Sequence, residues 1–154
     1  MLFVLLAFMA VFRYADNLRA KLALEYAAFR CARARTVGYN DYKILKTARL
    51  ATMSVAGECL VEGPDGTKLS TGSMAGRMSA YLSSRNDGEA GNILDFEHWA
   101  DDVTFLVRPK LSGSEITVEV DQRRPQAFSV EDGERALLRG ECTMEAHYPS
   151  YLSE

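Results

Sequence analysis

The chain opens on twelve residues, MLFVLLAFMAVF, without one polar side chain, and runs with no turn signal into FRYADNLRAKLALEYAAFRCARAR. Beyond Phe12 the apolar period is helical. Phe8, Ala15, Leu22 and Phe29 recur at seven, with Val11, Leu18 and Tyr26 beside them, while Arg13, Asp16, Arg30 and Arg33 lie largely off this stripe. A second stripe is small: Ala20, Ala23, Ala27, Cys31 and Ala34 stand three or four apart, a spacing that lets another helix backbone come close. Alanine's helix propensity alone would give the same pattern, so both readings of that stripe stay open. Neither proline nor glycine interrupts the chain before Gly38. One helix is therefore expected to about Val37, roughly 55 Å long, closed by Gly38, with Asn40 or Asp41 capping a second helix that ends near Val55.

In that second helix Ile44, Leu45, Ala48 and Ala51 or Thr52 share one face, opposite Lys43, Lys46 and Arg49, so it should pack on the rest of the protein. Gly57 ends it and the pattern changes. Cys59-Leu60-Val61 is a short strand candidate, Gly63-Pro64-Asp65-Gly66 a strong turn signal, and Thr71 or Ser73 a cap for a short helix with Met74, Met78, Tyr81 and Leu82 as its stripe. The clearest strand is ITVEVD, with Ile116, Val118 and Val120 on one face and Thr117, Glu119 and Asp121 on the other. VTFLVR at 103–108 and ECTMEAHY at 141–148 complete an antiparallel set with one wet face. The expected class is α+β, divided into an N-terminal helix at 1–37, a second helix at 38–56 and a β-rich head at 57–154.

Composition changes this picture in one respect. With 154 residues, 47% hydrophobic and 25% charged, the chain has the makings of one ordinary domain with the leading helix as an appendage. Its charge is split. Residues 1–50 hold nine Lys or Arg against three acids, and the remainder nine against eighteen, a basic rod followed by an acidic head that would attract each other in a staggered assembly. The apolar block has no basic residue before it and no small-residue cleavage site after it, which argues against a secretory signal. Twelve residues rise only about 18 Å, short of a hydrocarbon core of about 30 Å. Either the chain begins partway into a longer hydrophobic segment, or Tyr14, Ala15 and Leu18 extend the apolar face while Arg13 and Arg19 snorkel outward. The apolar block beside the basic residues also argues against nucleic acid as a partner.

Candidate chemistry is sparse. His98 and His147 lie in different segments with no metal-ligand spacing, and there is no Gly-x-Ser-x-Gly, P-loop or dinucleotide fingerprint. A small extracytoplasmic enzyme would need Glu97, His98 and an unpaired cysteine to converge. Asn86, Asp87 and Glu89 lack the spacing of a calcium loop, and a solvated loop capping a short helix explains them better. Trp99 and Phe96 read as core, or as an interface if exposed. No cofactor, metal or small-molecule substrate is expected.

The order of apolar block, a...YAA.R.ARAR continuation, a second helix ending in ATMSVAG and a β-rich tail closing on ECTMEAHYPSY resembles the TadE/TadG-like minor pilins of tight-adherence systems, type IV pilin-like subunits of bacteria. The resemblance covers residues 1–57 well and the head in outline. It implies a structural subunit, not an enzyme, held in the inner membrane before assembly and then part of an extracellular filament with copies of itself and other pilin-like subunits. Leu2, Phe3, Leu5, Leu6, Phe8, Phe12, Leu18, Leu22 and Phe29 would form its assembly helix, with the small stripe packing against sibling helices. The alternative is a single-pass membrane-anchored envelope protein whose head binds a protein partner. Members of the family carry a short basic leader and a glutamate five residues into the mature chain; here the fifth residue is Leu5 and the first acid is Asp16. Either those features lie upstream of Met1 or the subunit lacks the acid. Cys59 and Cys142 each follow Gly-Glu at the start of an expected strand, and in an oxidising periplasm they are expected to pair, with two reduced buried thiols as the other reading. Cys31 would then be a small apolar residue on the alanine stripe.

Overall fold

The structure, a computed structural model, describes residues 1–60, 71–90, 93–96, 99, 105–112, 115–125 and 135–145. Leu2–Thr36 forms one helix, α1, about 52 Å long. It closes in a Schellman motif: Gly38 takes a φ of 84°, its N–H donates to the Arg35 carbonyl at 2.9 Å, and the Tyr39 N–H donates to the Ala34 carbonyl at 3.1 Å. Asn40 then caps α2 (Asp41–Thr52), its side chain accepting from the Lys43 N–H at 3.0 Å, and Arg35 pairs with Asp41 across the corner at 2.8 Å. A 3-10 turn, Met53–Val55, extends α2 to the expected end, and Gly57 at φ 85° stops it.

Two further helices follow, α3 (Thr71–Ser83) and the single turn α4 (Asp87–Ala90). Among the described residues three antiparallel strands follow, β1 (Phe105–Ser112), β2 (Glu115–Pro125) and β3 (Arg135–Glu145), in the order β1-β2-β3. The class is α+β, as the pattern predicts. Strand bounds move: β1 runs on to Ser112 and β3 begins six residues earlier than expected, while residues 103–104 of the expected first strand and His147 with residues 146–148 of the expected closing strand lie outside the described residues. Pro109 has no N–H to give to a ladder, which suits β1 at an edge of the described sheet.

The first core lies between α1, α2 and one face of the sheet. Ile116, Val118 and Val120 are buried against Leu24, Ala27, Ala28, Cys31 and Ala32 of α1 and Ile44 and Ala48 of α2. Gly140 on β3, in register with Val120, sits beneath the helix backbone. A Cβ there would overlap the Leu24 carbonyl and come within 2.6 Å of the Glu25 nitrogen. Only glycine lets helix and strand approach so closely. The second core gathers Ala56, Tyr81, Ala90, Leu94, Phe96 and Trp99, with Met74 and Met78 of α3 and Tyr42, Leu50 and Met53 partly buried around it. One helix, α2, therefore serves both.

Several expectations are revised. The long helix is not an appendage to the head, because its second half forms half of the first core. The outer sheet face is not wet throughout: Glu119 and Asp121 are buried there, and Arg139 reaches Asp121 through Nε at 2.7 Å and Nη2 at 3.0 Å, 3.7 Å from Glu119. The Cys59-Leu60-Val61 strand reduces to a single bridge between Cys59 and Phe96; Val61 and the Gly63–Gly66 turn lie outside the described residues. Leu82 is 54% exposed and leaves the α3 stripe, whereas Tyr81 is the largest fully buried side chain among the described residues.

Glycine positions give the packing a test with two signs. Gly140→Ala is expected to lower the urea-unfolding free energy by about 1–3 kcal/mol through overpacking. Gly76→Ala in α3, where a Cβ meets nothing within 4 Å, is expected to raise it by up to about 1 kcal/mol. Equal effects at the two sites would show that α1 does not lie against β3.

Candidate assembly surface

Helix α1 has two halves with different surroundings. Every residue from Met1 to Arg19 is exposed, and Ala20 is the first buried one. The change is marked by an ion pair in which Arg124, near the end of β2, donates to the Asp16 carboxylate at 2.9 Å and to its carbonyl at 3.3 Å. Arg19 donates to the Ser54 carbonyl close by, at 3.4 Å. From Met1 to this clamp the helix projects about 22 Å with no cover from the rest of the described chain.

Leu2, Phe3, Leu5, Leu6, Phe8 and Phe12 all lie on the projecting half; Phe3 is 85% exposed. Leu18, Leu22, Tyr26 and Phe29 continue the same heptad stripe along the packed half, on the side turned away from the core, with Leu22 59% exposed. The structure thus joins these positions into one uncovered apolar ridge spanning most of α1. An exposed patch of this size is unusual for a monomer and marks an interaction surface.

The small stripe behaves otherwise. Ala20, Ala27, Cys31 and Ala34 are buried and Ala23 is half-buried, all within the protein's own fold, so they are not open to a sibling helix as expected. The close approach that their size permits is spent on β2, β3 and α2. Leu24, Ala28 and Ala32 share this face.

The expected pairing of Cys59 with Cys142 is not made: both are free thiols. They belong to different cores, Cys142 facing the α1 side of the sheet beside Val118, Cys59 beside Phe96 in the other cluster. Cys31 is buried at the α1–α2 contact, where its Sγ lies 3.4 Å from the Ile44 carbonyl as donor. Burial pushes this thiol up to about 12, and nearby Arg30 opposes the shift only in part. Burial likewise raises the Cys142 thiol and the Tyr81 hydroxyl, the latter against the opposing influence of Arg49. None of these groups is set up as a nucleophile at neutral pH.

The remaining candidates resolve simply. Asn86 caps α4, its Oδ1 accepting the Glu89 N–H at 2.9 Å, while the Glu89 carboxylate accepts from the Arg85 N–H at 2.7 Å and the Asn86 amide at 3.2 Å. This is a capping arrangement, and it occupies the acid that a cation would need. Phe96 and Trp99 meet edge to face at 4.7 Å inside the second core. Glu97 and His98 lie outside the described residues.

The hydrophobic pattern does not mark one surface feature. At the α1–α2 corner a cleft of about 570 Å³ is lined by Tyr39, Tyr42, Lys43, Lys46, Leu82 and Arg85, among others, and a second of about 280 Å³ beside it by Arg30 and Arg33, with Tyr39 and Thr47 common to both. Lys46 is committed to the end of α3, donating to the Leu82 and Ser84 carbonyls at 2.7 and 2.9 Å. Lys43 stands over the Tyr39 ring at 5.1 Å, and Arg30 over Tyr26 at 5.8 Å. The front-to-back charge split is the only sequence signal that bears on this corner.

No family model matches the chain, and neither a curated protein nor a solved structure shows significant similarity to it.

The Cys31 thiol yields a pH expectation. Its pKa is raised in the folded state, so above the usual thiol value of about 9 the unfolded chain loses a proton that the folded one keeps. Stability should fall between pH 9 and about 12, by at most about 1.4 kcal/mol per unit. Denaturant titrations at pH 8, about 9 and about 10 should show a shallower decline for Cys31→Ala than for the parent; identical slopes would mean that Cys31 is not buried as a thiol.

Proposed function

We propose that this protein is a structural, pilin-like subunit that polymerises through α1. The observation that carries the reading is the uncovered ridge from Leu2 to Phe29, made of large apolar side chains on a helix whose stripe from Ala20 to Ala34 is used internally. Each large side chain is worth roughly 1.5–3 kcal/mol when taken out of water. Equivalent helices of neighbouring copies supply that cover, while the acidic head sets register and outer surface. The resemblance to TadE/TadG-like minor pilins supports the same division of labour. No helix among the described residues is long and apolar enough to cross a membrane. In this reading the projecting half rests in the inner membrane before assembly and in the bundle of an extracellular filament afterwards.

Leu6 and Phe8 lie on the projecting half and are exposed, so Leu6→Asp or Phe8→Asp leaves the head's packing untouched. An aspartate buried among sibling helices costs roughly 3 kcal/mol or more, over a hundredfold in association. After detergent removal the parent chain should sediment as filaments visible by negative-stain electron microscopy. The aspartate variants should stay in the supernatant with unchanged circular dichroism. A parent chain that stays monodisperse and monomeric without detergent, or a Leu6→Asp variant that assembles equally well, would refute the proposal.

A further inference from the structure

Two surfaces of opposite charge stand out among the described residues. The first is the α1–α2 corner. Arg33, Lys43 and Arg85 make no ion pair among the described residues, and Arg30 is engaged only with the Tyr26 ring and hydroxyl.

The second lies on the sheet face turned away from α1. Across the β2–β3 ladder Glu115 stands opposite Glu145, Thr117 opposite Thr143, Glu119 opposite Glu141 and Asp121 opposite Arg139. The Thr117 and Thr143 hydroxyls are bonded at 2.9 Å, so this face is in register. Arg139 serves the Asp121 end. In register on β1, Arg108 and Lys110 stand opposite Glu119 and Thr117, while Glu115 has Ser112. Glu141 and Glu145 are exposed on the outer strand, and Glu115 and Glu145 form a like-charged pair. Like charges directly opposite are destabilising, and a cation brought to this pair relieves the repulsion.

We propose that the basic corner of one copy, Arg30, Arg33, Lys43 and Arg85, docks on the acidic ladder end of the next, Glu115, Glu141 and Glu145. The inference rests on the reading of the chain as an assembling subunit and adds what fixes the register of its heads. The two surfaces are different patches, one at the α1–α2 corner and one on the β2–β3 ladder, so the contact is heterologous. A heterologous contact whose rotation does not close propagates as an open helical filament. The open cleft beside Lys43 and Arg85 gives carboxylate side chains room to enter.

Charge exchange tests this on the full chain. One variant carries Arg33→Glu with Lys43→Glu, the other Glu141→Lys with Glu145→Lys; all four positions are exposed. Each alone presents like charges at every contact and should need at least about tenfold more protein for half to sediment, a shift of about 1.4 kcal/mol. Mixed in equal amounts, the two variants have complementary faces at every alternating contact and should return to within about threefold of the parent. Folded variants that assemble alone like the parent, or a mixture that stays dispersed, would overturn the inference while leaving helix-driven assembly standing. A parent that never assembles overturns both. If a variant fails to fold, the parent alone decides: its half-sedimentation concentration should rise at least about tenfold as salt goes from about 0.05 to about 0.5 M, and indifference to salt would refute the contact.

Discussion

The close approach of α1 to β3 over Gly140 is the constraint on which the rest of the structure depends. With no Cβ beneath Leu24 and Glu25, the helix backbone comes down onto the strand, and the side chains filling the remaining gap must be small. Ala27, Ala28, Cys31 and Ala32 meet that demand, with Leu24 as the one large side chain on the α1 side of the contact. The rotation of α1 about its axis is fixed by this choice. Once the small face is down, Leu18, Leu22, Tyr26 and Phe29 point away from the core, and the projecting half carries its ridge in phase with them.

Helix α2 transmits the arrangement to the rest of the molecule. Ile44 and Ala48 close the first core, while Tyr42 and Leu50 reach the second, where Tyr81, Phe96 and Trp99 collect. Polar contacts tie the pieces at their edges. Gln122 on β2 donates to the Val55 carbonyl at 3.3 Å, and the Tyr42 and Ser84 hydroxyls lie 2.6 Å apart. Lys46 adds charge where the carbonyls at the end of α3 lack helical partners, a favourable placement for a cation.

What could be read from the sequence was whatever local chemistry decides. Gly38 and Gly57 mark helix ends because left-handed backbone suits glycine, Asn40 caps because its side chain reaches the Lys43 N–H, and Ile116, Val118 and Val120 alternate because a strand does. The partner of the small stripe could not be read. Ala20 to Ala34 have the same spacing whether a helix or a sheet lies against them, and the deciding residue, Gly140, is more than a hundred positions away with nothing local to mark it. The cysteines failed for a related reason. Similar Gly-Glu-Cys surroundings do not say which core each joins, and Cys59 and Cys142 join different ones. The acidic ladder likewise depends on the β2–β3 register, which sets Glu115 against Glu145.

Placing small residues inside and large ones outside inverts the usual economy of a helix on a sheet, where the largest apolar side chains go to the core because they release the most water-exposed area. The inversion has a geometric consequence for any assembly through α1. With the alanine stripe already covered, sibling helices cannot use it for the close backbone contact that small residues allow. In the proposed filament they would meet instead at Phe8, Leu22 and Phe29, whose bulk would hold helix axes about 8–10 Å apart and whose spacing of seven favours shallow crossing angles. Ala15, exposed on the same ridge between Phe8 and Leu22, leaves a recess one side chain deep. In the proposed filament a large residue of a neighbouring helix would fill it, and the stagger between copies would be set by that knob as well as by the charged heads.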